Sequence, residues 1–284
     1  MSKNLVSLLS TGIIIADCDG TIAPKVEAAH GLCMATVVKD LSEKAGIEYS
    51  QSFFDSVWQA ELGKGILNFT KQYVASLDED SAALFVSQIG SLENAERLYE
   101  ETYIAFSLHE ENESYFDVRK DLDVLFRQAA NSNIPVAVIS NANQKVLEAT
   151  LAAVFKRAGA PEAVTECLTV ILGKDTIEAL GFKAKPSRGA VLCAQQAVEN
   201  KIGRPVSLDN SIGLGDTKND DLSFRSGCVG RIIHCKNFND VADEMVGPDN
   251  SGYLIIGKNC SVTAAVGRFA ANRDAHHHAT AAKI

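Results

Sequence analysis

Two patterns of apolar and polar residues divide the chain. Short apolar runs rich in β-branched residues occur at 13–16, 134–139, 168–172, 212–215 and 229–233. The later runs alternate with amphipathic segments of helical periodicity at 118–130, 144–158 and 188–200. Strands that alternate with helices of roughly 10–15 residues predict right-handed crossovers and a parallel sheet. A further run at 253–256, between two glycines, is expected to add an edge strand.

The segment after the first run has a different, helical pattern. Apolar residues from Val26 to Leu41 recur at helical spacing until Gly46, and the pattern stays helical to about residue 111. Because β-branched clusters are few here, we predict an all-helical domain at 22–112. It is inserted into a discontinuous α/β core formed by 1–21 and 113–284, and the tail after Arg268 is expected to be loosely ordered.

Polar residues follow the predicted strands. The run Ile13–Ala16 leads into Asp17, Asp19, Gly20 and Thr21. Ligands of open parallel sheets bind beyond the carboxyl ends of the strands, so this segment is a candidate active site. Further polar groups occur at corresponding later positions: Ser140 and Asn141, Lys185 before Pro186, and Asp216 with Asp220 and Asp221.

These residue types suit a bound phosphate and a magnesium ion. The Ser140 hydroxyl and the next backbone N–H can hold a phosphate oxygen at a helix N-terminus, and the Lys185 ammonium can neutralise negative charge. Mg²⁺ prefers oxygen ligands, which Asp17, Asp216 and the Asp19 carbonyl can supply. In the alternative interpretation, Ser140 and Asn141 only cap a helix and Lys185 is a surface residue.

In this order, the segments Asp17–Thr21, Ser140–Asn141, Lys185–Pro186 and 213–221 resemble the four motifs of the haloacid dehalogenase (HAD) superfamily, over about residues 12–235. The resemblance implies a Rossmann-like core with a helical C1-type cap, as in phosphoglycolate phosphatase-like and β-phosphoglucomutase-like members. It implies that Asp17 attacks phosphorus, that Asp19 is the general acid and base, and that Lys185 stabilises charge. Thr21 and Ser140 would bind the phosphate, and Asn141 the substrate. The metal would be bound or supported by Asp17, Asp19, Asp216 and Asp220.

The resemblance predicts a Mg²⁺-dependent phosphatase that hydrolyses a phosphomonoester of a small metabolite through an aspartyl-phosphate. Asp19 favours phosphate-ester chemistry, because the dehalogenases of the superfamily lack an aspartate there. A phosphomutase or phosphotransferase of the β-phosphoglucomutase type, or a non-catalytic HAD-like binding protein, are the alternatives. In the cap, Lys64 between two glycines is a candidate substrate-binding residue or part of a simple turn, and His30 is interpreted mainly as a packed histidine.

Composition indicates which kinds of partner the protein binds and in which cellular compartment it is found. The chain has 284 residues and a formal charge of −9, which argues against broad nucleic-acid binding. Its seven cysteines are scattered without paired metal-ligand spacing, which favours a reducing cytoplasm over a disulfide or zinc scaffold. The apolar residues before Cys18 resemble a weak signal peptide, but Asp17 spoils the cleavage site. We expect a cytoplasmic protein with no membrane partner; the sequence predicts no oligomeric state.

Overall fold

The computed structural model describes residues 2–61, 66–236, 245–248, 252–257, 259–269 and 271. The strands within these ranges are β1 Ile14–Ala16, β2 Val136–Ile139, β3 Val170–Leu172, β4 Ile212–Gly215, β5 Arg231–Cys235, β6 Met245–Val246 and β7 Tyr253–Ile256. The α-helices are α1 Ser2–Leu9, α2 Val26–Ala45, α3 Gln51–Glu61, α4 Ile66–Ala75, α5 Glu79–Ile89, α6 Leu92–Leu108, α7 Leu122–Asn131, α8 Gln144–Arg157, α9 Ala163–Cys167, α10 Lys174–Ala179, α11 Arg188–Ile202 and α12 Lys218–Ser226. Residues 262–269 are also helical.

The strands form one sheet in the order β3-β2-β1-β4-β5-β7-β6, which is parallel except for the β6–β7 pair. The central strand β1 is hydrogen-bonded on both sides, with Ile14 opposite Val136 in β2 and opposite Ile212 in β4. The predicted α/β class with a parallel sheet is therefore confirmed. The expectation that 253–256 forms the edge was wrong, because the short strand β6 pairs outside it.

The chain divides into two compact units, one formed by 1–25 and 116–284 and the other by 26–115. In the first unit, Ile13, Ile15, Ala137 and Ile139 on the sheet belong to a buried core to which α11 contributes Val191 and its neighbours. All three residues of β1 are buried, as expected for a strand covered on both faces. The strand ends thus form a rigid base for the residues that follow them.

Helix α1 was not predicted. Of the apolar residues that resemble a signal peptide, Leu5, Leu8 and Leu9 form the buried face of α1, and Ile14–Ala16 form β1. None of the helices in the described ranges is long and apolar enough to cross a membrane.

Helices α2–α6 make up the second unit, as the helical pattern predicts. Its interior is aromatic: Phe69 packs against Phe54 and Tyr73, with ring centroids 5.3 and 5.8 Å apart. Trp58 packs its ring edge-on to Phe69 and belongs to the same cluster. The candidate residue Lys64 lies outside the described residues.

Candidate active site

The loop that leaves β1 is a compact turn. The Asp17 N–H donates to the Leu214 carbonyl of β4, and the N–H groups of Ile22 and Ala23 both donate to the Cys18 carbonyl. Gly20 has a φ of 79°, and a Cβ there would lie 2.0 Å from Asp216 Oδ2. Only glycine both adopts this conformation readily and leaves that space open. The loop is therefore shaped to bring its backbone against a carboxylate from another strand end.

Three carboxylates and one ammonium group meet at this edge of the sheet. Asp17 follows β1, Asp216 follows β4 and Asp220 lies in the first turn of α12. Each offers an oxygen, and these oxygens lie within 4.8 Å of one another. Lys185 Nζ donates to Asp17 Oδ1 and, at 2.7 Å, to Asp220 Oδ1. All four side chains are buried. We call this group the acidic cluster.

Burial and neighbouring charges act differently on the members of the acidic cluster. Burial raises the pKa of Asp17 well above its ordinary value, the Asp220 charge adds to this, and Lys185 opposes both. Burial and Asp220 also raise the pKa of Asp216 to about 7. At Asp220, burial is opposed by the attraction and hydrogen bond of Lys185 together with hydrogen bonds from Thr217, and these hold its pKa below its ordinary value. Asp220 and Lys185 thus form an ion pair, while Asp17 and Asp216 share a site short of positive charge.

The structure separates Asp220 from Asp221. Asp220 forms a capping box with Thr217: its side chain accepts from the Thr217 N–H at 3.0 Å, while the Thr217 hydroxyl accepts from the Asp220 N–H. Asp221 lies outside the acidic cluster, since Tyr253 donates to its carboxylate at 2.7 Å and His234 lies 3.2 Å from it. Of these two aspartates, Asp220 is the one that lies beside Asp17 and Asp216, and its predicted support of a metal stays a prediction.

The predicted phosphate-binding residues have other partners in this structure. The Thr21 hydroxyl donates to Asp216 Oδ1 at 3.1 Å, so it orients a carboxylate of the acidic cluster. The Ser140 hydroxyl accepts from the Ala142 N–H at 3.0 Å. Since Asn143 is the N-cap of α8, neither Ser140 nor Asn141 caps that helix. Both lie directly beyond the end of β2, where the strand-end prediction places them.

Asn141 contacts the segment that carries Lys185. Its Nδ2 donates to the Lys185 carbonyl at 3.3 Å. Its Oδ1 is buried and has no hydrogen-bond partner among the described residues. A buried acceptor of this kind is costly when left unpaired, which suits a group that receives a hydrogen bond from a bound molecule.

Asp19 is less buried than Asp17 and does not belong to the acidic cluster. Its residue forms an isolated parallel bridge with Ala23, within the same compact turn. Its charge contributes to the raised pKa of Asp17, so the two carboxylates are electrostatic neighbours. The structure thus gives these two aspartates different surroundings, one buried and paired with lysine and the other more open.

The acidic cluster fits a divalent cation. Its donors are carboxylate oxygens, which hard cations such as Mg²⁺ prefer. With all three carboxylates ionised, as they would be around a bound cation, one ammonium leaves two negative charges, which one divalent cation balances. Asp17, Asp216 and Asp220 are the residues that would hold it.

One residue at this site was missed by sequence reasoning. Arg119 is almost completely buried and its guanidinium binds the carbonyls of Gly20 and Thr21. It lies 98 positions from Thr21 along the chain, between the helical unit and α7, and belongs to no motif. No spacing in the sequence indicates that contact.

No protein-family model matches this chain, and no curated protein matches it. Solved structures do. CbbY from Rhodobacter sphaeroides, in complex with xylulose-1,5-bisphosphate, is similar with a TM-score of 0.60 and 19% identity over 80% of this chain and 87% of that one. A predicted phosphoglycolate phosphatase from Haemophilus somnus has a TM-score of 0.53 and 15% identity over 80% and 88%.

A HAD hydrolase of family IA, variant 3, from Entamoeba histolytica is similar with a TM-score of 0.52 and 16% identity, over 81% of this chain and 86% of that one. At such identities the likeness concerns the fold. The sheet order, the inserted helical unit and these neighbours agree with the architecture that the sequence motifs imply. The chain therefore has the HAD fold, an α/β Rossmann-like core with an inserted helical cap.

Proposed function

We propose that this protein is a Mg²⁺-dependent phosphatase that hydrolyses a phosphomonoester of a small metabolite through an aspartyl-phosphate on Asp17. The observation that carries the proposal is the acidic cluster, in which Lys185 bridges Asp17 and Asp220 beside Asp216. A buried carboxylate held next to an ammonium and a cation site is suited to attack an electrophile that is itself anionic.

The surroundings of the two loop aspartates support different roles. Lys185 holds one oxygen of Asp17 and favours its ionised form, which burial and Asp220 oppose by raising the pKa of Asp17; a bound cation would favour the ionised form further, as a nucleophile requires. Asp19 is more open to solvent and lies beside a cluster of negative charge, so it is suited to hold a proton for the leaving alkoxide and later to accept one from water. Two carboxylates in unlike environments are the pattern expected of a nucleophile and an acid–base group.

The divalent cation would be held by Asp17, Asp216 and Asp220 together with the backbone carbonyl of Asp19, and it would supply charge neutralisation for the phosphoryl group. Thr21 orients Asp216 through its hydroxyl, and Asn141 holds the backbone of Lys185. The buried Asn141 Oδ1 is suited to accept a hydrogen bond from a hydroxyl of the substrate. We therefore favour substrates that carry a hydroxyl near the phosphate.

The test is a panel of phosphorylated small metabolites with Mg²⁺ on the full chain. Because one solved neighbour holds xylulose-1,5-bisphosphate, the panel includes sugar mono- and bisphosphates. The wild type is expected to release inorganic phosphate, and Asp17→Asn to lose about 10³-fold or more in kcat because it removes the nucleophile. Asp221→Asn is the matched control, since this aspartate faces His234 and Tyr253 instead.

Product analysis separates hydrolysis from transfer. An isomerised sugar phosphate formed without free phosphate would replace the phosphatase by a phosphomutase that uses the same aspartate. If no ester in the panel reacts and Asp17→Asn changes neither activity nor Mg²⁺ binding, the proposal is wrong and a non-catalytic HAD-like protein is the better description.

A further inference from the structure

Arg119 binds three consecutive carbonyl groups of the loop that follows β1. Its backbone N–H donates to the Ile22 carbonyl at 2.8 Å. Its Nε donates to the Thr21 carbonyl at 2.9 Å, and its Nη2 to the Gly20 carbonyl at 2.7 Å. The carbonyls of a short stretch of loop are thus all held by a single residue distant in sequence.

This arginine is not part of an ordinary ion pair. Its side chain is 1% exposed, and among the described residues no carboxylate lies within ion-pair distance of it. Nη2 also reaches the Lys236 carbonyl at 3.3 Å, at the end of β5. Burying a guanidinium without a carboxylate is costly unless its hydrogen bonds are good, and bonds from a charged donor are the strong ones. Among the described residues, Nε and Nη2 of Arg119 thus bind only backbone carbonyls, while the buried Nη1 has no hydrogen-bond partner.

The backbone that it holds determines the direction of groups at the acidic cluster. The Gly20 N–H donates to the Ala23 carbonyl within the same turn. In a planar trans peptide the C=O and N–H point in opposite directions, so this bond also fixes where the Asp19 carbonyl points. The next residue, Thr21, carries the hydroxyl that donates to Asp216.

We propose that Arg119 is a positioning residue of the phosphoryl-transfer site: by clamping the Gly20–Ile22 carbonyls it orients the Asp19 carbonyl and the Thr21 hydroxyl for cation binding. This inference rests on the proposed function. Arg119 touches no reacting atom and positions the site through the loop that it holds. A lysine keeps the charge but presents a single nitrogen, so it cannot bind two carbonyls in the plane of a guanidinium.

The first experiment uses no substrate. Hydrogen exchange of the loop amides is measured on the metal-free full chain, for the wild type, Arg119→Lys and the control Arg127→Lys, which replaces an exposed arginine paired with Glu162 on the same unit. In the wild type, the Ile22 and Ala23 amides are expected to exchange as slowly as those of β1. In Arg119→Lys they are expected to exchange about tenfold faster or more, while β1 and the control are unchanged.

The second experiment is a calorimetric titration of the same proteins with Mg²⁺. We expect about a tenfold weaker affinity in Arg119→Lys and none of this loss in Arg127→Lys, since a small displacement of ligands is enough to weaken a site that requires near-ideal geometry. With an active substrate in hand, kcat should fall more than KM rises. A role in fold stability alone would lower the melting temperature and leave Mg²⁺ affinity and the kcat-to-KM split unaltered.

The inference is overturned if folded Arg119→Lys keeps wild-type loop exchange and Mg²⁺ affinity. It is also overturned if the Ile22 and Ala23 amides of the wild type exchange rapidly, a result that does not depend on whether the variant folds. A failure of the proposed function is distinguishable. It would appear as a wild type that binds Mg²⁺ but turns over no phosphorylated compound, whatever the behaviour of the loop.

Discussion

The two units of this protein bury polar groups in opposite ways. In the core unit, the acidic cluster gathers three carboxylates around one lysine and leaves negative charge unbalanced. In the helical unit, His30 stacks on Tyr103 with ring centroids 4.6 Å apart, and its Nδ1 is hydrogen-bonded to the Tyr99 hydroxyl. The first group carries an excess of negative charge that a cation from outside the chain would balance, whereas in the second an imidazole lies against two tyrosines of α6.

A binding site and a packed polar pair differ in how far the chain itself balances their charge. Charge concentrated beyond what the chain balances costs stability, and such a cost is expected where a ligand is bound. His30 is half-buried, stacked on one buried tyrosine and hydrogen-bonded to another, which are contacts within the helical unit. These contacts favour the interpretation of His30 as a packed histidine. The predictions below test the contrast, beginning with the largest effect on the free energy of unfolding.

Replacing the lysine of the acidic cluster should have the largest effect. Lys185→Met leaves Asp17 and Asp220 buried without their cation, so the metal-free protein at pH 8 is expected to lose about 3–5 kcal/mol of unfolding free energy in denaturant titrations. The control Lys25→Met breaks an ion pair with Asp117 in which both side chains are over one-third exposed, and should cost less than about 1 kcal/mol. Equal losses would mean that burial of the cluster has no energetic consequence.

Replacing Gly20, in the loop after β1, should have the next largest effect. Gly20→Ala forces a side chain into the left-handed region and against Asp216, and is expected to cost about 3 kcal/mol and most of the Mg²⁺ affinity. Gly181→Ala is the matched control, because its φ of 84° is similar but nothing lies within 4 Å of the added Cβ. That variant should lose only about 1 kcal/mol. If the two variants behave alike, contact with Asp216 does not matter.

The sequence was most informative where chemistry follows a strand. Asp17, Ser140 and Asp216 were identified because each comes directly after an apolar run, and in the structure each lies at the carboxyl end of a strand of one sheet. Helical spacing likewise predicted helices α2–α6. Strand ends and helices are local features, so the order of apolar and polar residues along the chain is enough to predict them.

What the sequence did not show depends on long-range contacts. Arg119 lies in an irregular segment, and its carbonyl partners are fixed only once two distant parts of the chain are folded together. The bonding of Thr21 to Asp216 and the turning of Asp221 toward β5 and β7 depend on the same tertiary geometry. Strand β6 is two residues long, too short to form a pattern, and this is why β7 was expected at the edge.

The acidic cluster should also make the free energy of unfolding depend on pH. The pKa of Asp216 is raised from 3.8 to about 7 in the folded protein, so the folded state holds a proton that the unfolded state releases. Its contribution to stability is complete below pH 4 and is lost as the pH rises through about 7. We expect this loss to be on the order of 1–2 kcal/mol, because relaxation inside real proteins softens the effect of burial.

The measurement is the difference in unfolding free energy between metal-free wild type and Asp216→Asn, followed from pH 4 to 8. The wild type should lose stability relative to the variant as the pH rises. Saturating Mg²⁺ should stabilise the wild type more at pH 8 than at pH 5, since protons compete with the cation for the carboxylates. A difference that is flat with pH would contradict the raised pKa of Asp216.

The smallest effect is predicted in the helical unit. Tyr99→Phe removes the hydroxyl bound to His30 and keeps the ring, so a loss of about 1 kcal/mol is expected with kcat and KM unchanged. Tyr49→Phe removes a solvent-exposed hydrogen bond to Gln51 and should cost less, which makes it the control. A changed KM with unchanged stability in Tyr99→Phe would mean that His30 recognises substrate. The histidine would then resemble the acidic cluster, as a group whose final partner comes from outside the chain.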